Sequence, residues 1–166
     1  MVSPEVLRRY PLFAGLALDE VQTLAKLGRV VEVEADHIFF RENDKLRKLY
    51  LNIEGTLNVF LDTPKTDVEH HVSQQLLGDL EVEETIVSVI RPGELFGWSS
   101  LLEPFEATAG VKTQTYSRVV AFDSLGLLKS FEGNCHFGYR MLEKIAKIIH
   151  QRLHDRRVES LAHAPL

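Results

Sequence analysis

The apolar residues of this chain recur with one period in its middle and another at its ends, and that switch restricts the fold more than any single motif. Between residues 29 and 122 the repeat is two. Val31 and Val33 alternate with Glu32 and Glu34, the mark of a half-buried strand. "HIFF" (37–40) is a second short strand, and "REND" (41–44) reads as a turn. Tyr50, Leu51 and Ile53 precede Glu54-Gly55, with Leu57, Val59 and Leu61 after it, which predicts two strands joined as a hairpin at Gly55. "TIVSVI" (85–90) is a strand and "RPGELFG" (91–97) a turn, while "ATAGVKTQTYSRVVAFD" (107–123) gives two strands broken near Tyr116 to Arg118. Residues 62–84 are the least regular, with a hairpin extension or insert and a helical turn at 73–77 as the reading.

The two ends carry the helical repeat. Ser3 caps a helix with Pro4 in its first position, and Pro11 stops it. A second helix runs from about Leu18 to Leu27 with Gly28 placed to end it. Asp123 caps a short helix, and Asn134 opens a long one that extends to about Ser160, leaving a frayed tail. Short strands between helical ends predict a mainly β, antiparallel β-roll of the jelly-roll type with flanking helices. Its parts are an N-terminal helical segment (1–28), the roll (29–122), and a hinge helix with a long C-terminal dimerisation helix (123–166), together one structural domain. On the long helix Met141, Leu142, Ile145, Ile148, Ile149 and Leu153 recur at spacings of three and four. Such a stripe either packs on its own sheet or pairs with a second copy. The expectation is a homodimer through Met141, Leu142, Ile145, Ile149 and Leu153.

Composition narrows the function classes. With 45% hydrophobic residues, 166 residues support one packed core. A net charge of −5 argues against nucleic acid as the main partner, because phosphate binding needs a basic footprint. The single cysteine, Cys135, forbids an internal disulfide. The start "MVSPEVLRRY" has no apolar signal core, and no apolar run reaches the length of a membrane span, so a cytoplasmic protein without membrane contact is expected. His150 and His154 share a helix face at metal-binding spacing, but Asp155 lies off that face and surface histidines explain the pair. No cofactor, metal or catalytic group is expected, and the chain reads as a non-enzyme.

Residues 93–110, "GELFGWSSLLEPFEATAG", have the outline of an anion-binding loop, with Gly93 and Gly97 before a short apolar turn and a small-residue run after it. They hold no Arg, Lys or His. An ordered set of segments carries a family resemblance across nearly the whole chain: "PLFAGLALDEVQTLA", "IFFREND", "YLNIEGTLNVF", "IRPGELFGWSSLL", "ATAGV" and "GYRMLEKIAKIIHQRL". The chain resembles the cyclic nucleotide-binding domain superfamily, in particular the sensor half of catabolite-activator (Crp/Fnr-type) regulators. The resemblance implies the same roll, with the segment from Gly93 as its phosphate-binding cassette. It also implies a Glu for the ribose at the position of Trp98 and an Arg for the phosphate at the position of Ala107. Both anchors are absent, and Glu106, one residue away, has the wrong sign. Lys112 falls on the opposite face of its strand from Ala107, Ala109 and Val111. The pocket candidates are Gly93, Glu94, Phe96, Gly97, Trp98, Ser99, Ser100, Ala107, Thr108, Ala109 and Arg152.

Two readings of Trp98 stay open: its ring stacks on a planar neutral ligand, or it is substantially buried and fills the ribose space. Ser99 and Ser100 either bond a ligand or satisfy their own helical turn. Arg152 aligns near the residue that reaches the purine in cAMP-binding relatives, although a solvated helix face is the simpler expectation. Those relatives continue into a DNA-reading domain, whereas this sequence stops at Leu166, so no direct DNA binding is expected. The expected function is a stand-alone sensor that does not bind cAMP or cGMP in the usual way, senses a different small-molecule ligand and signals through a protein partner. The alternative is a ligand-free dimeric scaffold with its pocket filled by Trp98.

Overall fold

A computed structural model of the chain describes residues 1–64 and 82–162; the helical turn expected at 73–77 and the frayed tail lie outside the described residues. The order is α1 (Pro4–Arg8), a 3-10 turn (Pro11–Phe13), α2 (Leu18–Leu27), then β1 (Gly28–Val33), β2 (Ile38–Phe40), β3 (Lys48–Glu54), β4 (Leu57–Pro64), β5 (Val82–Ile90) and β6 (Leu95–Phe96). A 3-10 turn (Trp98–Leu101) precedes β7 (Gly110–Thr113) and β8 (Ser117–Asp123), and α3 (Ser124–Gly133) and α4 (Cys135–Ala162) follow. The capping residues do what their chemistry suggests. Ser3 Oγ accepts from the Glu5 N–H at 3.3 Å, Asp123 Oδ2 from Gly126 N–H at 2.8 Å, and Asn134 Oδ1 from Phe137 N–H at 3.0 Å.

The strands form two four-stranded antiparallel sheets, in the orders β1-β8-β3-β6 and β2-β7-β4-β5. The predicted roll with flanking helices is the observed architecture. Two local expectations need correction. Glu54-Gly55 does not close a hairpin, because β3 lies in the first sheet and β4 in the second. The corner switches sheets, with Gly55 at φ 88° and its α-carbon pressed so closely on Tyr116 and Ser117 that a Cβ would lie 2.3 Å from the Tyr116 carbonyl. The consecutive strands that do pair are β4 and β5, from Leu57 opposite Ile90 to Pro64 opposite Val82, with a register shift between Val59 and Phe60. Gly28, in turn, ends α2 without the left-handed cap: its backbone is extended (φ −89°, ψ 143°) and is already the first residue of β1.

The first sheet is buried on both faces. One face, through Leu49, Leu51, Val120 and Phe122, meets Leu7, Phe13 and Leu24 from the N-terminal helices and Phe137, Met141 and Ile145 from α4. The other, through Phe96 and Val119, meets Phe40, Leu57 and Val111 of the second sheet. This explains why "VVAF" (119–122) is a continuous apolar run rather than an alternating one.

Helix α4 corrects the expected dimer seam. Met141 is fully buried and Ile145 nearly so within their own chain, and Ile149 is half-buried against the same cluster. None of the first two is free to meet a second copy. Leu142 and Leu153, by contrast, are 42% and 59% exposed, and Tyr139 beside them is 67% exposed. A stripe with both three- and four-residue spacing spreads around the helix and so covers two different neighbours.

Candidate ligand site

The cassette begins at a tight turn. Gly93 (φ 90°) donates its N–H to the Asn52 carbonyl at 2.8 Å, and Asn52 N–H donates to the Glu94 carbonyl at 2.9 Å, which fastens the turn to β3. Leu95 and Phe96 then pair with Leu51 and Tyr50, and the Phe96 ring stacks on Tyr50 at 4.8 Å. Gly97 takes φ 74°, where a Cβ would sit 3.0 Å from the Lys48 carbonyl, so the chain can turn here against β3 only with glycine. That turn sets Trp98 and Ser99 on the wall of a small cavity. The remaining wall is Phe40, Leu46, Val59, Phe96, Gly97, Ala107, Thr108, Ala109, Val111 and Arg152.

The cavity holds about 60 Å³. Ligand pockets of ordinary size run to roughly 300–1,000 Å³, and one water takes up about 30 Å³. Ala107, at the position where the resemblance implies an Arg, is 3% exposed, with its N–H donated to the Asp44 carbonyl at 2.9 Å. Trp98 is half-buried rather than sunk in the core, because it forms the side of the cavity. Its ring carries the Arg152 guanidinium 4.6 Å above the centroid.

Arg152, a pocket candidate of the sequence for which a solvated helix face was the simpler expectation, does line the cavity. It is not on a solvated face: its side chain is 21% exposed, donates from Nη2 to the Leu95 carbonyl at 2.9 Å, and comes within 4.0 Å of Glu94 Oε2. Burial pushes its pKa below the usual arginine value, and the Glu94 charge works against that shift. Among the described residues, the only cation lining the cavity thus comes from α4, not from the cassette. Arg152 also lines a second, larger hollow of about 410 Å³, shared with Ile86, Val87, Ser88, Val89, Arg91, Glu94 and Asp155.

Three candidates stand elsewhere. Gly93 faces Tyr10 and does not line the cavity. Glu94 belongs to the larger hollow. Ser100 is 2% exposed and accepts a hydrogen bond at 2.6 Å from Ser124 Oγ, so it ties the cassette to the start of α3 and faces away from the cavity. Lys112 is also outside, paired with Glu84 and lying 5.6 Å over the Phe60 ring, on the face that strand alternation assigns it. His150 and His154 are exposed, and among the described residues no three His, Cys, Asp or Glu side chains are placed to hold a metal. The apolar wall residues Phe40, Leu46, Val59 and Val111 were missed by sequence reasoning. Of these only Val111 was signalled, by strand alternation that puts it on the same face as Ala107 and Ala109.

A profile of the cyclic nucleotide-binding domain matches residues 30–134, more than half of the chain, and the chain belongs to that family. Among curated proteins it is 24% identical over 119 residues to a CRP-like cAMP-activated global transcriptional regulator of Mycobacterium tuberculosis. That match takes in 72% of this chain and 46% of the relative, so the chain spans about half the length of the curated relative. Among solved structures it superposes with TM-score 0.74 on a Geobacter metallireducens protein provisionally assigned to cyclic nucleotide binding, at 27% identity over 93% of this chain and 100% of the other. The Thermus thermophilus catabolite activator protein shares the fold at TM-score 0.63 and 23% identity, over 90% of this chain and 61% of the other. The sensor domain of the transcriptional regulator DNR of Pseudomonas aeruginosa does so at TM-score 0.65 and 19% identity, with 90% of each chain covered. The protein is therefore a cyclic nucleotide-binding-domain protein related to CRP-like regulators. Among the described residues, no helix is long and apolar enough to cross a membrane.

Proposed function

We propose that this chain is a cytoplasmic regulatory module that does not take cAMP or cGMP in its cassette, and that it senses a different small ligand and signals through a protein partner as a homodimer. One observation carries the reading: the positions that the resemblance assigns to the ribose and phosphate anchors hold Trp98 and a buried Ala107, while the one cation at the cavity among the described residues, Arg152, is stacked on Trp98 from the long helix. Breaking a buried charge pair by removing one partner costs about 3–5 kcal/mol. At about 1.4 kcal/mol for each tenfold, a cyclic phosphate in this cassette loses roughly two to three and a half factors of ten in affinity. The dimer is proposed to use the outer stripe of α4, with Leu142 and Leu153 as its anchors and Tyr139 beside them.

A second reading has its own support. A cavity of about 60 Å³ under a Trp98–Arg152 stack suits a closed pocket, in which the dimer itself is what a partner recognises. A thermal-shift screen of small metabolites, with cAMP and cGMP included, separates the two. Binding to the folded state raises the melting temperature by mass action. The sensor reading expects a shift from some metabolite and none from the two nucleotides. A flat response across the whole screen would leave the closed scaffold.

A further inference from the structure

The hollow between β5 and α4 is a candidate site in its own right. At about 410 Å³ it is within the size range of small-molecule pockets, roughly 300–1,000 Å³, while the cassette cavity is not. Its charged groups are two guanidinium side chains, Arg91 and Arg152, and two carboxylates, Glu94 and Asp155. Guanidinium groups only donate hydrogen bonds and ionised carboxylates only accept them. Glu94 Oε2 accepts from the Arg91 backbone N–H at 2.8 Å, Asp155 Oδ1 from Gln151 Nε2 at 2.8 Å, and Arg152 Nη2 donates to the Leu95 carbonyl at 2.9 Å, while Glu94 and Arg152 approach only to 4.0 Å, so the second oxygen of each carboxylate and the remaining guanidinium donors are what the hollow offers. A pure anion would meet two like charges there, and so would a pure cation. A molecule that carries one charge of each sign meets a partner for both.

The strand wall adds directional groups. β5 pairs only with β4 and is the edge of its sheet among the described residues, so the other side of its backbone faces the hollow unpaired. The register also slips here. Val59 stands opposite Ser88 and Phe60 opposite Ile86, so Val87 has no partner on β4 and bulges. Ile86 and Val89, 52% and 37% exposed, supply an apolar flank.

We propose that this hollow binds a small zwitterion of the α-amino-acid type, its carboxylate on Arg91 and Arg152 and its ammonium on Glu94 and Asp155, with an apolar side chain along Ile86 and Val89. Glu94 comes from the cassette segment and Arg152 also lines the cassette cavity, whereas Arg91, Asp155 and the β5 wall belong to this hollow and not to that cavity, and the test uses amino acids rather than nucleotides. The experiment is calorimetry on the full chain with the protein amino acids, followed by the N-acetyl and the carboxamide derivatives of the tightest one. Binding of at least one amino acid is expected, with at least a tenfold loss when either charged end is blocked. Arg152→Gln and Asp155→Asn are each expected to lose tenfold or more. Asp155 is exposed and its variant reads the site even if the Arg152 variant folds poorly. No binding by any amino acid at millimolar concentration would overturn the proposal, as would an N-acetyl derivative that binds as tightly as its parent.

Discussion

The two faces of α4 are built from the same residue types and do different work. The inner face, Phe137, Met141 and Ile145, is buried against the first sheet and the N-terminal helices, and it ends at Arg152 over Trp98. The outer face, Tyr139, Leu142 and Leu153, stands exposed. Nothing in the spacing of Met141 and Leu142 tells them apart, since they are neighbours in sequence on the two sides of one broad stripe. The difference teaches that a long amphipathic helix can be both a structural rib and a free surface, with its own core deciding which residues are left over. At the end of the inner face, Arg152 reaches the Leu95 carbonyl and the Trp98 ring together.

The largest effect should come from the inner face. Met141→Ala removes a fully buried side chain, and the cost for such a change is about 2–5 kcal/mol, measurable by chemical denaturation. A loss below about 0.5 kcal/mol, the range of an ordinary surface change, would mean that Met141 is not core. Next in size is Arg152→Gln. It forfeits a hydrogen bond from a charged donor, about 1.5–3 kcal/mol, and a cation–π contact of about 0.5–1 kcal/mol, partly offset by the remaining amide. Trp98 is the only tryptophan, so its emission should shift red and become easier to quench with acrylamide in this variant. Unchanged emission would show that the guanidinium does not cover the ring. The smallest effect on stability is expected on the outer face. Leu153→Asp should stay within about 0.5 kcal/mol, yet light scattering should show a monomer where the unsubstituted chain is a dimer. A dimer that survives the aspartate would move the interface away from this stripe.

Much of this molecule could be read from its residues because the signals are local. The caps at Ser3, Asp123 and Asn134 and the boundaries of α2 depend on side chains within three or four positions, and the structure has them where the sequence put them. The sheet change at Gly55 was not legible. A glycine after a strand signals a positive φ, but whether the next strand folds back or crosses to another sheet depends on Ser117 and Tyr116, more than 60 residues on. The candidate site divides in the same way. That the resemblance puts Trp98 and Ala107 where the family carries its anchors was visible in the sequence. That Arg152 crosses to Trp98 was not, because helix periodicity assigns a face and not the depth at which that face meets the roll. Ser100 was misplaced for a similar reason: its partner, Ser124, belongs to a helix that the cassette's own residues do not announce.

The most direct measurement is isothermal calorimetry of the purified chain with cAMP. With a buried Ala107 where the resemblance puts the phosphate-binding Arg, and with Arg152 engaged with Leu95 and Trp98, no heat of binding is expected at micromolar nucleotide. Saturable binding with a micromolar or tighter dissociation constant would contradict it, and would mean that backbone groups and Arg152 rebuild the phosphate site after all.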